Sequence, residues 1–460
     1  MRENKVEIIG LIKSREYGKT AYIFLMGLLL LSFPYMMVTY THFVPYQVPL
    51  FIWVLRCISS VLAIYIGKLW KDRGFQILFV YLLYILLRTV ITDLNGLFSI
   101  RFSESILTGI WAFSACYGLA KILKKEELKS CLRISSLIWT LAIAVSCCVG
   151  IYAAWRGERI YTAGDAAFWG LYPKRLMIPY LPTVSGALTS LSALIALCAF
   201  VCHKNRYIRL AYGIAMVPIL LALSLTDSRT GFISFAFGAA VLTFICLSRW
   251  KDRTGLETTR KTIVRQKLLA GVVSLLVCAG AVFLLMSAEN AFHTLRTRGG
   301  LLISNAYAEA AGSTSAARGF SGDSGMLTGR FELWKSTVHY LIHHPLTLLF
   351  GAGKADPMAM INPQMAHTHN LPLMILVESG IIGAAILLLF ILYVCRNGLR
   401  EIRKHGNIYP VLLLSVVASI ITGDMAECFA WMAAGSFPSL PFLFVIIGIF
   451  GHADNGTVIG

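Results

Sequence analysis

Charge is what this sequence has least of. Asp, Glu, Lys and Arg make up 14% of its 460 residues, and the acidic members number only 23 against 41 basic ones. Beside 57% apolar residues and a mean hydropathy of +0.70, so little charge excludes an ordinary soluble domain. No two cysteines stand at CxxC spacing and no HExxH is present, so neither a zinc ribbon nor a metalloprotease-type site is written in the chain. The 11 cysteines form no disulfide framework either, because all except Cys428 fall in or at the cytoplasmic edge of apolar stretches, where they serve as small apolar filler. The leading segment MRENKVEIIGLIKSREYGKT lacks a cleavage-site pattern and runs into a full-length apolar stretch. It is therefore expected to be no removable signal, and the first span to stay in the membrane. No internal repeat is evident, so the inverted-repeat signature of many secondary transporters has no support.

What the chain does have is long apolar runs. Twelve are long enough to cross a hydrocarbon core of roughly 30 Å as helices. They cover approximately 21–40, 48–66, 75–92, 105–123, 134–154, 183–202, 210–226, 228–247, 268–287, 369–394, 408–423 and 437–452. With the N-terminus placed inside, 27 of the 41 basic residues fall in cytoplasmic segments, 12 fall outside, and Arg56 and Arg88 lie within spans. Positive charge is retained on the cytoplasmic side, so both termini are expected there. The same bookkeeping disposes of a nucleic-acid partner, since topology accounts for most of the +18 net charge. The expectation is an all-α polytopic membrane protein of about 12 transmembrane helices. Its parts are a cytoplasmic segment (1–20), helices one to nine (21–287), a large outer loop (288–368), helices ten to twelve (369–452) and a cytoplasmic tail (453–460).

The outer loop has two halves. LLISNAYAEAAGSTSAARGFSGDSG is rich in Ala, Gly and Ser, whereas TGRFELWKSTVHYLIHHP spaces Phe331, Trp334, Val338 and Leu341 as a helix would, with Pro345 as its stop. That pattern predicts an amphipathic helix lying on the outer membrane surface.

Three places on the outer side carry chemistry. In LTDSRTGF, Asp227 or Ser228 can cap the next helix, leaving Arg229 in a first turn that already favours an anion; a guanidinium there suits a diphosphate or carboxylate, although an interfacial Arg can also simply reach lipid headgroups. In TGRFELW, Arg330 opens the amphipathic helix, as a ligand to an anion or as a solvated charge. In AHTHNLPLMILVESGIIG, His367 and His369 stand at the outer end of the tenth span. Glu378, nine residues beyond His369, would lie roughly 14 Å down the helix axis, where a carboxylate needs a partner; Arg88 is a candidate. Gly380 and Gly383 offer a small surface to another helix or a lipid chain. GAGK has the wrong spacing for a phosphate loop and reads as a turn, and Asp424 with Glu427 reads as a solvated pair or an acceptor-sugar contact.

Taken in order, these motifs resemble the O-antigen ligase and O-antigen polymerase superfamily. The resemblance rests on Ser228-Arg229, on Gly329-Arg330 with Trp334 followed by His344-Pro345, Gly351 and Gly353, and on His369-Asn370 with Glu378, Gly380 and Gly383. It covers about 225–385. The resemblance implies a glycosyltransferase of the cytoplasmic membrane, its site facing the periplasm or cell exterior and its donor a glycan on undecaprenyl diphosphate. Arg229 and Arg330 would grip the diphosphate. His369 would be the general base or would orient the acceptor hydroxyl, with His367 two residues earlier as the other candidate. Glu378, Asn370, Arg88 and Trp334 would support them. Polymerase is the leading expectation. Ligase follows closely, because its branch looks like His-Asn, nine residues, then GxxG, as residues 369–383 do. No cofactor or metal is needed: the leaving group is already activated, two arginines can stabilise its developing charge, and attack opposite the diphosphate would invert configuration. The expected partners are the lipid-linked donor, a glycan acceptor, membrane lipid, a flippase and a chain-length regulator. A flippase or transporter would share the span count but would set its charges near the midplane on broken helices.

Overall fold

The computed structural model describes residues 19–20, 23, 50–92, 114–115, 117–123, 125–156, 170–171, 176–177, 182–203, 205–248, 260–299, 328–353, 358, 361–362, 368–405 and 408–425. Among these residues the chain is helical apart from a two-residue antiparallel pair, β1 (Gly170–Leu171) with β2 (Leu176–Met177). The helices are α1 (Leu50–Gly67), α2 (Arg73–Thr92), α3 (Tyr117–Ile122), α4 (Lys125–Arg156), α5 (Pro182–Cys202), α6 (Arg206–Leu225), α7 (Arg229–Ser248), α8 (Arg260–Gly299), α9 (Thr328–His343), α10 (Pro345–Phe350), α11 (Leu371–His405) and α12 (Ile408–Asp424). Six helices have stretches long and apolar enough to cross a membrane, in α2, α4, α6, α7, α8 and α11; α1, α5 and α12 contribute shorter apolar segments. The expected spans 21–40 and 437–452, the 105–123 span before Ser114 and both termini lie outside the described residues. The expected count of twelve spans and the sidedness are therefore carried by sequence.

Local chemistry explains the corners. Lys68 takes a left-handed conformation (φ 48°) to end α1, and Asp72 then caps α2 by accepting from the Phe75 N–H at 2.9 Å. The same buried carboxylate receives the Tyr117 hydroxyl at 2.7 Å and Lys121 Nζ at 3.2 Å, which clasps α1, α2 and α3 together. Asn205 caps α6 through the Tyr207 N–H.

Two groupings organise the bundle. In the first, α7 packs against α5, α8 and α12. Small residues permit it: a Cβ on Gly238 would stand 2.5 Å from Leu194 Cδ2, 3.0 Å from Ser419 Cβ and 3.1 Å from the Ser415 carbonyl oxygen. Buried hydroxyls in this grouping are satisfied inside the helices or across them, as Thr189 on the Ser185 carbonyl and Trp139 Nε1 on Ser192 Oγ at 3.0 Å. In the second grouping, α2 runs antiparallel to α11. Gly74 meets Tyr393, and fifteen residues further along α2 Thr89 meets Gly353, whose N–H is bonded to the carbonyl of Glu378, fifteen residues before Tyr393.

Three elements differ from expectation. α8 has 40 residues, about 60 Å at 1.5 Å per residue, so it overruns the 268–287 span at both ends and turns the first dozen residues of the expected 288–368 loop into helix. α11 is interrupted: Gly380 has φ 63° and ψ −172°, a conformation closed to side-chain-bearing residues. And α9 turns a different face inward. Leu333, Thr337 and Leu341 are buried, while Phe331, Val338, Ile342, Leu346 and Leu349 form an exposed apolar row continuing onto α10, with Leu346 72% exposed. The periodicity found the helix but assigned Leu341 to the membrane side, because a sixteen-residue helix with apolar residues on two flanks carries two candidate faces.

If the glycine at 238 is the seat of the first grouping, Gly238→Val should lower stability by about 1–3 kcal/mol through overpacking. Thermal unfolding in detergent reads this out, and the same substitution at Gly271, which has open space around it, should leave the midpoint within experimental error.

Candidate functional site

The site is built from the ends of helices. Ser228 is the cap of α7: its Oγ accepts from the Gly231 N–H at 3.2 Å, Asp227 before it takes φ 46°, and Arg229 becomes the first residue of the helix. This turn is pressed onto α5, since a Cβ on Gly186 would collide with Ser228 and one on Gly231 with the Gly186 carbonyl. Arg229 is half-buried and stands nine residues from Gly238. Gly238 lies against Ser415 and Ser419 of the antiparallel α12, so counting back along both helices sets Arg229 level with Met425, just past the α12 C-terminus.

The histidine segment is tied to that same point. Asn370 caps α11, its Oδ1 accepting from the Leu373 N–H at 3.0 Å, while its Nδ2 donates to the Met425 carbonyl at 2.8 Å. Thr368 is buried; its Oγ1 donates to the Asn370 carbonyl, and its own carbonyl accepts from Trp334 Nε1 at 2.9 Å. Between these two anchored residues His369 takes φ 52°, a left-handed conformation uncommon outside glycine, Asn, Asp and His. A residue held there is held from both sides, and such strain gathers at functional sites. Trp334 belongs to α9, and half-buried Arg330 is one turn before it on the same face. The residues on either side of His369 are therefore tied to two other helices, Thr368 to α9 through Trp334 and Asn370 to the end of α12 through Met425. His367 and Glu427 lie outside the described residues.

The remaining candidates meet at the break in α11. Interrupting a helix leaves carbonyls without their i+4 N–H groups. Here the Val377 carbonyl receives the Ala352 N–H at 2.7 Å, and the Glu378 carbonyl receives the Gly353 N–H at 3.0 Å. Gly351 and Gly353 both take φ 82°, so the chain bends sharply after α10; Lys354 lies outside the described residues. The closeness demands glycine on both sides: a Cβ on Gly351 would lie 2.3 Å from the Glu378 carbonyl oxygen, and one on Gly380 2.5 Å from the Leu349 carbonyl. What the small surface at Gly380 receives is thus the C-terminal end of another helix, α10, with the turn that follows it, while Gly383 lies against Tyr84 of α2. Glu378 itself is fully buried. Arg88, the expected partner of its carboxylate, donates through Nη2 to the Gly351 carbonyl at 2.7 Å, and its guanidinium lies 5.7 Å from the centre of the Phe350 ring. Glu378 is also level with the last turn of α2 through Gly353 and Thr89, so its backbone is at the end of the helix pair and not far down it.

A family model described as O-antigen ligase matches residues 214–388. The match supports the O-antigen ligase and polymerase superfamily for this stretch. It begins in α6 and ends in α11, and so encloses Arg229, Arg330, Trp334, His369, Asn370, Glu378 and Gly380, with Arg88 outside it. A comparison with curated proteins finds no match. The match supports a membrane enzyme of the O-antigen ligase and polymerase type, a family whose substrates are lipid-linked glycans. Among the described residues of the ligase-type domain and the rest of the chain, no group of three or more His, Cys, Asp or Glu side chains is placed to hold a metal.

Sequence reasoning passed over Thr368 and Tyr84. Thr368 has no periodic signal. Tyr84, whose hydroxyl donates to the Phe350 carbonyl at 2.7 Å, stands one turn from Arg88 on the same face of α2, and that spacing was available to be read.

The two bonds of Asn370 are separable. Asn370→Ala should cost about 1 kcal/mol for the cap and release the α12 end as well, whereas Asn370→Ser keeps a capping oxygen and loses only the donation to Met425. The unfolding midpoint of the Ser variant should lie between wild type and Ala, and transfer activity should fall in both.

Proposed function

We propose that the chain joins undecaprenyl-diphosphate-linked oligosaccharide repeat units into a surface polysaccharide of O-antigen or capsule type, at the outer face of the cytoplasmic membrane. The observation that carries this reading is the family match over residues 214–388, which encloses Arg229, Arg330 and His369, and it is supported by the bonds that hold Thr368 and Asn370 on either side of His369. The two guanidiniums take the diphosphate oxygens and stabilise the charge that develops as the diphosphate leaves. His369, held in its left-handed kink, receives the proton of the acceptor sugar hydroxyl, whose oxygen attacks the anomeric carbon from the side opposite the diphosphate. The bond from carbon to the diphosphate oxygen breaks with its electron pair going to the diphosphate, so the product is inverted. No metal enters these steps. The exposed apolar row of α9 and α10 suits the outer leaflet beside the site.

A second reading is a ligase that moves the finished lipid-linked glycan to lipid A core or another acceptor. It is favoured by the description of the matching family and by the spacing of His369-Asn370 to Gly380 and Gly383. A flippase or secondary transporter is less well supported: a broken helix is present, but the carbonyls it frees are taken by Ala352 and Gly353 and do not face an open ion path.

The test is genetic and biochemical. In a deletion strain complemented with His369→Ala, His367→Ala, Arg229→Ala or Arg330→Ala, lipid-linked and surface glycans are separated on gels. Loss of either arginine should lower transfer by about 100- to 1,000-fold. Single lipid-linked repeat units accumulating with His369→Ala support the polymerase, long lipid-linked chains accumulating support the ligase, and glycans unchanged in all four variants overturn both.

A further inference from the structure

The two α2 side chains that reach the GAGK turn have no place in the reaction just described. Arg88 is an arginine within a membrane-spanning helix, a costly position that normally marks a task. Its Nη2 holds the Gly351 carbonyl, Tyr84 holds the Phe350 carbonyl, and the very next amides, those of Ala352 and Gly353, close the open carbonyls of Val377 and Glu378. The path from α2 to the break in α11 thus runs through four hydrogen bonds that join eight residues, with Gly351, Gly353 and Gly380 packed closely along it. Beyond the break lies the short helical segment 371–379, with Asn370 and His369 at its far end.

We propose that Arg88, assisted by Tyr84, is a positioning residue for the transfer reaction: by pinning the Phe350–Gly351 carbonyls it splices the break at Gly380 and sets the direction of the segment that carries His369. The inference rests on the functional reading above for its catalytic consequence, while the coupling between α2 and the segment is independent of it. Leverage makes the effect large. Nine helical residues span roughly 13 Å, so a swing of about 10° at Gly380 carries His369 some ~2 Å. A misplacement of about 1 Å in a reacting group can cost roughly 100-fold in rate. The second anchor, Asn370 on Met425, fixes the far end to α12, and the Arg88 splice fixes the near end to α2. Two helices that lie at opposite ends of the sequence thereby hold one histidine. The assignment also gives α2, which is outside the residues matched by the family, a part in the chemistry.

The experiment uses the full chain in lipid nanodiscs, with Arg88→Met, Arg88→Lys and Tyr84→Phe. One arm follows amide hydrogen exchange in peptides covering 350–354 and 371–380, with 229–240 as the internal reference. The other measures transfer from an undecaprenyl-diphosphate-linked glycan at varied donor concentration. Arg88→Met should speed exchange in both peptides and leave 229–240 unchanged. It should lower kcat about 100-fold, with the donor KM within about twofold. Arg88→Lys, which keeps a cationic donor, should recover at least tenfold of that loss, and Tyr84→Phe, which removes one hydroxyl, should move both readouts in the same direction by less. Unchanged exchange in 371–380 overturns the proposal. So does a rise in donor KM with kcat intact, which would make Arg88 a ligand of the donor, and so does a loss of activity that Tyr84→Phe does not share while Arg88→Met simply fails to fold. A wild-type protein inactive on lipid-linked glycans overturns the functional reading, and the exchange arm then still decides the coupling.

Discussion

An interrupted helix must dispose of its open carbonyls, and this constraint organises the functional half of the molecule. In a membrane, water is a poor answer, since each unsatisfied backbone group away from it costs several kcal/mol. The chain answers with its own backbone: the amides of Ala352 and Gly353 complete the carbonyls of Val377 and Glu378. Everything else about that region follows from the closeness this requires. Gly351, Gly353 and Gly380 all take positive φ, and a side chain on any of them would meet backbone or side-chain atoms within 2.6 Å. The turn in FGAGKAD and the glycines in ESGIIG are two halves of one joint.

The joint matters because of what it redirects. An unbroken α11 would be a single rod ending in His369; broken and spliced at Gly380, it becomes a spanning helix with a separately tethered segment. Both ends of that segment are fastened, near α2 through the Gly351 turn and near α12 through Asn370. Catalytic geometry on such a segment is set by hydrogen bonds of defined length and not by the looser packing of apolar side chains against lipid. The segment also borrows α9: Trp334, one helical turn after Arg330, satisfies its indole N–H on the Thr368 carbonyl.

Electrostatics and apolarity divide the labour. The cationic groups assigned to the donor, Arg229 and Arg330, stand at helix N-termini, where the helix dipole adds to their attraction for an anion. Exposed apolar side chains form a row along α9 and α10 and a long flank on α8, surface of a kind that suits lipid. Asp72, at the other end of α2, is tied up in structural bonds to Phe75, Tyr117 and Lys121, which keeps the helix that carries Arg88 from sliding along its axis.

Composition and patterning by themselves determined that the chain is a helical membrane protein, where its six long apolar helices run, that a capped helix opens at Arg229 and that α9 is a helix. They did so because hydrophobic length, capping chemistry and 3.6-residue periodicity are local properties. The ordered motifs around Arg229, Arg330 and His369 also carried the family. Tertiary structure alone decided which face of α9 is buried, that α8 overruns its span, that α11 breaks at Gly380, and that Arg88 answers a carbonyl of the Gly351 turn. The Arg88 bond joins residues 263 apart in sequence, the break at Gly380 is completed by backbone from Leu349 to Gly353, and the buried face of α9 is a choice between two apolar flanks. A glycine in an apolar run reads the same whether it admits a lipid or, as here, the end of another helix of its own chain.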